Sequence, residues 1–205
     1  IKRDKEQTYL KGLKKEFETS RFKLEELIRV NKVSYEAAIT IVNLIDKENS
    51  ASESQLSKLF VDAFAFDVFF NPNNSLLNEM INSGSLKDLT NDTLRIELTN
   101  WVATMDDIGN QEKLLGEQRK IIVDWFRLGD YSIRTMLDHT GMSSQLGLPK
   151  DETPHSNLKA LESITFENNI LLFIITSQST ESSHYKPLLE SLEDILLLIN
   201  REIKE

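Results

Sequence analysis

The residues with the clearest capacity for chemistry are histidines with a glutamate three positions before them. Glu181 and His184 would share one face of a helix, which is the arrangement that carboxylate-bridged di-iron bundles require. Such a centre needs a second pair. Glu152 and His155 have the same spacing, but Pro154 lies between them and disfavours a regular helix there. We therefore predict no metal site and interpret these residues as surface polar groups.

Other motifs that carry chemistry are missing from the sequence. The chain has no cysteine, which excludes disulfides, thiolate nucleophiles and cysteine-ligated zinc. It has no His-Glu-x-x-His motif, no glycine-rich phosphate loop and no Gly-x-Ser-x-Gly turn. We predict no catalytic residues, no cofactor and no enzymatic activity. A hydrolase or metalloenzyme ranks third among our hypotheses, and metal bound by Glu181 and His184 would support it.

Two charged residues stand out because of the helix that would position them. Apolar residues from Leu94 to Phe126 repeat in a four-three rhythm, which predicts the longest helix of the chain, opened by Thr90 or Asn91. Glu112 and Arg119 occupy positions on this apolar seam. Three interpretations are open. The two residues are solvated where the apolar seam ends, or they pair with each other inside the bundle, or they line a polar cavity that binds a ligand. They are our candidates for a polar seam or ligand pocket.

The composition indicates the fold class. Only 7 Gly and 4 Pro occur in 205 residues, and hydrophobic residues make up 40%, enough to bury a core. We predict an all-α fold, an antiparallel helical bundle with long helices and few loops. The chain forms one domain, with a helical hairpin over 1–50, central helices over 52–140 and C-terminal helices over 156–205. The first two helices and the 90–128 helix form its spine.

Local signals set the predicted helix ends. A break at Asn31 to Val33 separates the first two helices; Ser34 caps the second, which ends near 48–50. Ser52 opens a helix that stops before Pro72. The remaining predictions are a cap at Ser75, a stop at Gly84, a helix over 131–139 and a main loop over 141–156 with a short helix after it. Helices over 166–179 and 187–203 follow, and Pro187 either starts the last one or kinks a single long one.

The net charge of −9 argues against nucleic acid as a partner. One basic cluster lies near the start of the chain, and it is either a solvated helix face or a contact for anionic lipid headgroups. Its members are Lys2, Arg3, Lys5, Lys11, Lys14 and Lys15. No apolar run approaches the ~20 residues that span a bilayer.

Three stretches of the sequence are distinctive, and they cover Tyr9–Phe17, Phe70–Gly84 and Phe166–Asn169. They resemble an uncharacterised family of bacterial single-span membrane proteins common in Bacteroidota. The resemblance implies a short basic amino terminus, one hydrophobic helix and then a soluble helical domain such as this one. It implies no catalytic or binding residues.

The resemblance and the first residue, Ile1 in place of Met, lead us to expect a membrane anchor. A helix immediately upstream of Ile1 would tether the chain to the inner membrane, with this domain in the periplasm. The basic cluster argues for the opposite orientation. The first two turns would be a stalk, and bundle packing would begin at Tyr9 or Leu10.

The expected role follows from the absence of a catalytic set. We expect an interaction or scaffolding domain at the cell envelope that binds an unknown protein partner. The alternative is a ligand-sensing helical bundle. An exposed apolar patch on a closed bundle would support the first role, and a deep polar pocket between helices would support the second.

Overall fold

The computed structural model describes residues 2–45 and 51–204, with side-chain burial from residue 4 onward. Helices account for 81% of the chain, and the described residues contain no strand, which confirms the all-α prediction. The α-helices are α1 (Lys2–Ile45), α2 (Glu53–Phe64), α3 (Ser75–Asn82), α4 (Asp92–Leu128), α5 (Ile133–His139), α6 (Met142–Gln145), α7 (Ile164–Thr180) and α8 (Lys186–Glu202). Two 3₁₀ turns, Ser85–Asp88 and Leu158–Glu162, and a π-helical turn, Glu181–Tyr185, complete the described helices. No described helix is both long enough and apolar enough to span a membrane.

The chain divides into two compact units, and neither matches the three consecutive segments expected from the sequence. The first unit comprises Ile1–Arg29, Phe69–Glu112 and Glu181–Glu205, and the second comprises Val30–Val68 and Lys113–Thr180. Helix α1 therefore contributes residues to both units, and so does α4.

The first unit holds a core built by α1, α3, α4 and α8. Leu13 and Phe17 of α1, Trp101 of α4 and Leu192 of α8 are among its fully buried side chains. The Phe17 and Trp101 ring centroids are 5.2 Å apart, a distance at which aromatic pairs add to the energy of burial. Gly12 of α1 lies against Leu76 of α3, where a Cβ atom would come within 2.4 Å of Leu76 Cδ2.

Contacts in this unit fix the helix directions. Glu6 binds Thr90 at the start of α4, and Phe17, further along α1, packs on Trp101, further along α4. These two helices therefore run in the same direction. Helix α8 runs the opposite way. Its end lies at the start of α1, where Gln7 Nε2 donates to the Glu202 carbonyl at 2.9 Å, and Tyr185, just before its start, binds Glu112 far along α4. The antiparallel packing is confirmed for α8, whereas α1 and α4 are parallel.

The second unit has an aromatic core. Phe60 and Phe64 of α2 contact each other, and Phe60 packs on Phe126 of α4 with centroids 4.3 Å apart. Trp125 of α4 stacks on Phe166 of α7 at 5.1 Å. Rings from three helices thus supply much of the apolar area that drives this unit together.

The predicted hairpin over 1–50 is wrong, because α1 continues without a break through Asn31 and Ser34. Asn31 is buried and donates its Nδ2 to the Ser177 carbonyl at 2.9 Å. Ser34 Oγ donates to the Val30 carbonyl at 3.1 Å, a bond that a serine makes inside a helix and not at its start. The predicted end of the second helix, at 48–50, lies outside the described residues. With 44 residues, α1 exceeds the 37 of α4, which the sequence had placed first in length.

Several predicted helix ends are confirmed. Ser52 caps α2 by accepting the Gln55 amide at 3.1 Å, and Asn91 accepts the Leu94 amide at the start of α4. Gly84 follows the end of α3 with a φ of 71°, a left-handed conformation that glycine adopts without strain.

Other ends differ from the prediction. Helix α2 stops at Phe64, well before Pro72, and Asn74, not Ser75, precedes α3. The main loop contains α6. At Pro187 the helix does not restart, because Tyr185 is itself helical and the π-helical turn joins α7 to α8.

The predicted stalk is wrong from Lys5 onward. Lys5 Nζ forms an ion pair with Asp88 at 2.9 Å, and Glu6 is already buried. Packing in the first unit therefore begins about one helical turn before Tyr9.

Candidate functional site

Glu112 lies in the interior of the first unit, with 6% of its surface exposed. Its Oε1 accepts two hydrogen bonds of 2.7 Å, from the Phe70 amide and from the Tyr185 hydroxyl. Its Oε2 is buried and has no hydrogen-bond partner among the described residues. Oε1 therefore has two hydrogen-bond donors. Oε2 is removed from water, and no hydrogen bond from the described residues offsets the cost of its burial.

The helices around Glu112 explain its environment. Tyr185 is the last residue of the π-helical turn, and its side chain is fully buried in the core of the first unit. A π-helical turn widens one helical turn, and such turns are frequent at functional sites. Phe70 belongs to the connection between α2 and α3, where its amide has no helical partner. Glu112 thus binds the backbone amide of this connection and the hydroxyl of a core tyrosine through the same oxygen atom.

Burial governs the acid–base properties of this pair. Desolvation raises the pKa of Glu112 above its ordinary value, and the hydrogen bonds from Tyr185 and Phe70 oppose that rise. Burial also raises the pKa of Tyr185, and the Glu112 carboxylate adds to the effect. Tyr185 therefore serves as a permanent hydrogen-bond donor, and Glu112 is the member of the pair that can bind a proton reversibly.

Arg119, the second candidate, has different partners within the second unit. Its guanidinium forms a fork with Asp67, with Nη2 to Oδ2 at 2.7 Å, and donates Nη1 to the Phe64 carbonyl at 2.9 Å. The side chain is one-fifth exposed, so this ion pair lies at the surface of the unit. Bidentate pairing and the carbonyl at the end of α2 occupy most of its donors. Arg119 therefore anchors the end of α2.

Two further glutamates of the first unit bind backbone amides, and the sequence analysis did not single them out. Glu16 Oε1 accepts from Leu76 and Oε2 from Leu77, at 2.6 and 3.2 Å, which caps α3 from another helix. Glu6 Oε1 accepts the Thr90 amide at 2.6 Å. Both residues are buried. Their spacing was the available signal, since Glu6 lies four positions before Leu10 and Glu16 lies three positions after Leu13.

The Asn71–Ser75 segment is held by side chains of α1 and α4. Ser20 Oγ accepts the Asn73 amide at 2.8 Å, and Lys23 Nζ donates to the Asn71 carbonyl at 3.1 Å. Trp101 Nε1 donates to Asn74 Oδ1 at 3.1 Å. The polar residues of this segment therefore serve as turns and contacts within the unit.

Glu181 and His184, the pair with metal-ligand spacing in the sequence, lie together in the π-helical turn. Within the described residues, no group of three or more histidine, aspartate or glutamate side chains is placed to hold a metal ion. The interpretation of Glu181 as a surface polar group is wrong, because this residue is buried and forms an ion pair with Lys186 at 2.8 Å.

An open groove of about 570 Å³ lies on the first unit beside the start of α4. Its lining includes Lys87, Ile96 and Asn100, and Arg95, whose guanidinium binds the Leu89 carbonyl and Asp92. Neither Glu112 nor Arg119 lines it.

Helix α7 carries an exposed apolar surface in the second unit. This helix has one charged residue in 17, Glu167, and it buries Phe166, Ile170 and Phe173 on one side. Its other side is apolar as well. We call this exposed side the α7 face; it comprises Ile164, Asn168, Leu171, Leu172 and Ile175.

Comparisons with known proteins add no assignment. No family model, no curated protein and no solved structure matches this chain.

Proposed function

We propose that this chain is a non-enzymatic interaction or scaffolding module at the cell envelope, tethered to the inner membrane by a helix upstream of Ile1. The observation that carries the proposal is the α7 face. Ile164 and Ile175 expose 74% and 63% of their surface, and Leu171 and Leu172 are also exposed. Together these four side chains leave roughly 400 Å² of apolar surface in water, which is the size of the largest patch on a typical monomer, and such patches are often functional.

The pattern of α7 supports a binding role more strongly than its area does. A surface helix of a globular protein usually turns charged residues toward water, and a helix that is apolar all round is usually buried. Residues 170–175 of α7 are apolar on every side of the helix, yet Leu171, Leu172 and Ile175 are exposed. A partner bound to the α7 face would remove these apolar side chains from water.

The proposed tether rests on the family resemblance and on the basic cluster. Lys11 and Lys15 are exposed on α1, whereas Lys5 is engaged with Asp88 and with the Tyr9 ring, 5.4 Å from its centroid. Exposed lysines next to an anionic lipid surface each contribute about 1 kcal/mol of attraction. The resemblance favours a periplasmic domain.

A ligand-sensing bundle is the second candidate, and the buried Oε2 of Glu112 without a partner favours it. A ligand with a hydrogen-bond donor could satisfy that oxygen. The competing observation is that the other oxygen, Oε1, is already occupied by Phe70 and Tyr185. We therefore rank this role below interaction through the α7 face.

The size of the native complex tests the proposed function. The full-length gene is expressed in its native host as the wild type, as Ile175→Glu and as the control Ile96→Glu. Membranes are then extracted with mild detergent. The two isoleucines expose similar fractions, 63% and 59%. We expect the wild type and the control to migrate as a larger assembly and Ile175→Glu to migrate as a single chain. Single-chain migration of the wild type would overturn the proposal.

Cell fractionation tests the tether separately. The full-length protein is expected in the membrane fraction and released only by detergent. Recovery without detergent would show that the tether does not exist, and it would leave the role of the α7 face untouched.

A further inference from the structure

The spacing on the α7 face points to a particular partner. Ile164, Asn168, Leu171, Ile175 and Gln178 are separated by four, three, four and three residues. This is the heptad spacing of a coiled-coil seam, with Asn168 and Ile175 at position a and Ile164, Leu171 and Gln178 at position d. The opposite side of the helix faces the core through Phe166, Ile170 and Phe173, so the seam points away from the unit.

We infer that the α7 face is a two-fold interface in which α7 of one copy packs in parallel with α7 of a second copy of this chain. The inference rests on the proposed function, because it names the partner that the α7 face binds. In parallel two-stranded packing, each position a lies beside the same residue of the other copy, and the same holds for position d. Asn168 would then lie beside its own equivalent.

The residue types fit self-association. A β-branched residue at a and leucine at d, as in Ile175 and Leu171, favour two strands. A single asparagine at position a fixes register and two-strandedness, because its amide finds a partner in the asparagine of the second helix. A partner of unrelated sequence would need a polar group placed to meet Asn168, whereas a second copy supplies one by symmetry.

Charge does not oppose the pairing at this surface, although each copy carries a net charge of −9. The one charged residue of α7, Glu167, occupies position g, and in parallel register it faces position e of the other copy, which is Leu172. No like charges meet across the seam. At the ~65% apolar fraction of homodimer interfaces, the exposed apolar area corresponds to roughly 600 Å² per copy, which lies at the lower end of the range for specific interfaces.

Two neighbouring asparagines provide a matched test. Asn168→Asp places like charges beside each other at position a, and Asn169→Asp makes the same change of charge one residue away, off the seam. The purified chain is analysed by sedimentation equilibrium. We expect wild type and Asn169→Asp to approach twice the 23.6 kDa of one chain, and Asn168→Asp to dissociate at least about 100-fold more readily at neutral pH. Far-UV circular dichroism confirms that each variant is folded.

Engineered cysteines test the parallel geometry, since the chain has none of its own. Ile164→Cys and Leu171→Cys are each expected to cross-link to the same position of the second copy, and Ile96→Cys is not. Cross-linking at Leu171 without cross-linking at Ile164 would indicate antiparallel packing and contradict the inference.

The outcomes separate this inference from the proposed function. A monomeric purified wild type, or Asn168→Asp that dimerises as tightly as Asn169→Asp, overturns self-association through the α7 face. If Ile175→Glu nevertheless reduces the size of the native complex, the face binds a different protein and the proposed function stands.

Discussion

Carboxylates of long helices hold the connections of the first unit in place. Glu6, Glu16 and Glu112 each accept the backbone amide of a residue that starts a helix or precedes one. Such amides lack partners within their own segment, and buried amides without partners are costly. A glutamate reaches further than the serine or asparagine of an ordinary cap, so one helix can supply the cap of another.

Glu112→Gln should change how stability depends on pH. The folded-state pKa of Glu112 is raised above the ordinary value of 4.5, so folding favours its protonated form. Its contribution to the free energy of unfolding is fully present below that ordinary value, and it declines as pH rises through the raised folded pKa. Glutamine keeps an acceptor for Phe70 and Tyr185 and does not titrate.

Urea denaturation between pH 4 and pH 8 measures this effect. We expect the wild type to lose stability relative to Glu112→Gln as pH rises through this window. Glu117→Gln, on the exposed side of the same helix, removes an equal charge and should follow the wild type. Parallel pH profiles for wild type and Glu112→Gln would show that burial of Glu112 is not linked to folding.

At the scale of elements, the sequence predicted helices best where their signals were local. The caps at Ser52 and Asn91 and the stop at Gly84 depend on residues within three or four positions, and all three are confirmed. The break at Asn31 was predicted from the same kind of signal and is wrong, because its partner Ser177 lies 146 residues away. A polar residue that ends an isolated helix can continue one when a distant carbonyl accepts its hydrogen bond.

The same difference between local signals and distant partners applies to the candidate site. The four-three rhythm placed Glu112 on the apolar seam of α4, and its burial agrees with that position. Its partners Phe70 and Tyr185 lie 42 and 73 residues away, and no local pattern identifies them. The exposed side of α7 was also missed, because an apolar run shows that a helix is apolar and does not show which side is covered.

Asn31→Ala should destabilise the second unit without breaking α1. Alanine favours the helix, but the Ser177 carbonyl loses its side-chain partner in a buried place. We expect a loss of about 1–3 kcal/mol in the free energy of unfolding, with helical circular dichroism unchanged in the folded state. Lys32→Ala, the exposed neighbour in α1, should alter stability by about 0.5 kcal/mol or less. An equal effect of the two substitutions would show that the hydrogen bond between Asn31 and Ser177 does not stabilise the second unit.

Glu16→Ala should loosen α3. The substitution leaves the amides of Leu76 and Leu77 without the carboxylate that accepts them, so we expect a loss of about 1–3 kcal/mol. Glu18→Ala, which removes an exposed carboxylate paired with Lys14 on the same helix, should cost about 0.5 kcal/mol or less. Hydrogen exchange at the α3 amides distinguishes local loosening from global unfolding, and unchanged exchange there would contradict the role of Glu16 as a cap.

At the scale of the whole molecule, the two units are built from shared helices. Helix α1 contributes residues up to Arg29 to the first unit and from Val30 onward to the second, and α4 is divided between Glu112 and Lys113. Both units bury aliphatic and aromatic side chains, and in the second unit the rings of α2, α4 and α7 contact one another. Helices α1 and α4 are continuous across the residues at which the two units divide.

Continuous helices should make unfolding a single transition. If one unit lost its packing, the parts of α1 and α4 in that unit would remain as helices without tertiary support, which are marginal in water. The chain has two tryptophans, Trp101 in the first unit and Trp125 in the second, so Trp125→Phe and Trp101→Phe each leave one reporter. We expect the fluorescence transition of each variant to coincide with its own circular dichroism transition in urea. A fluorescence transition that precedes the loss of helix in either variant would show that the units unfold independently despite the helices they share.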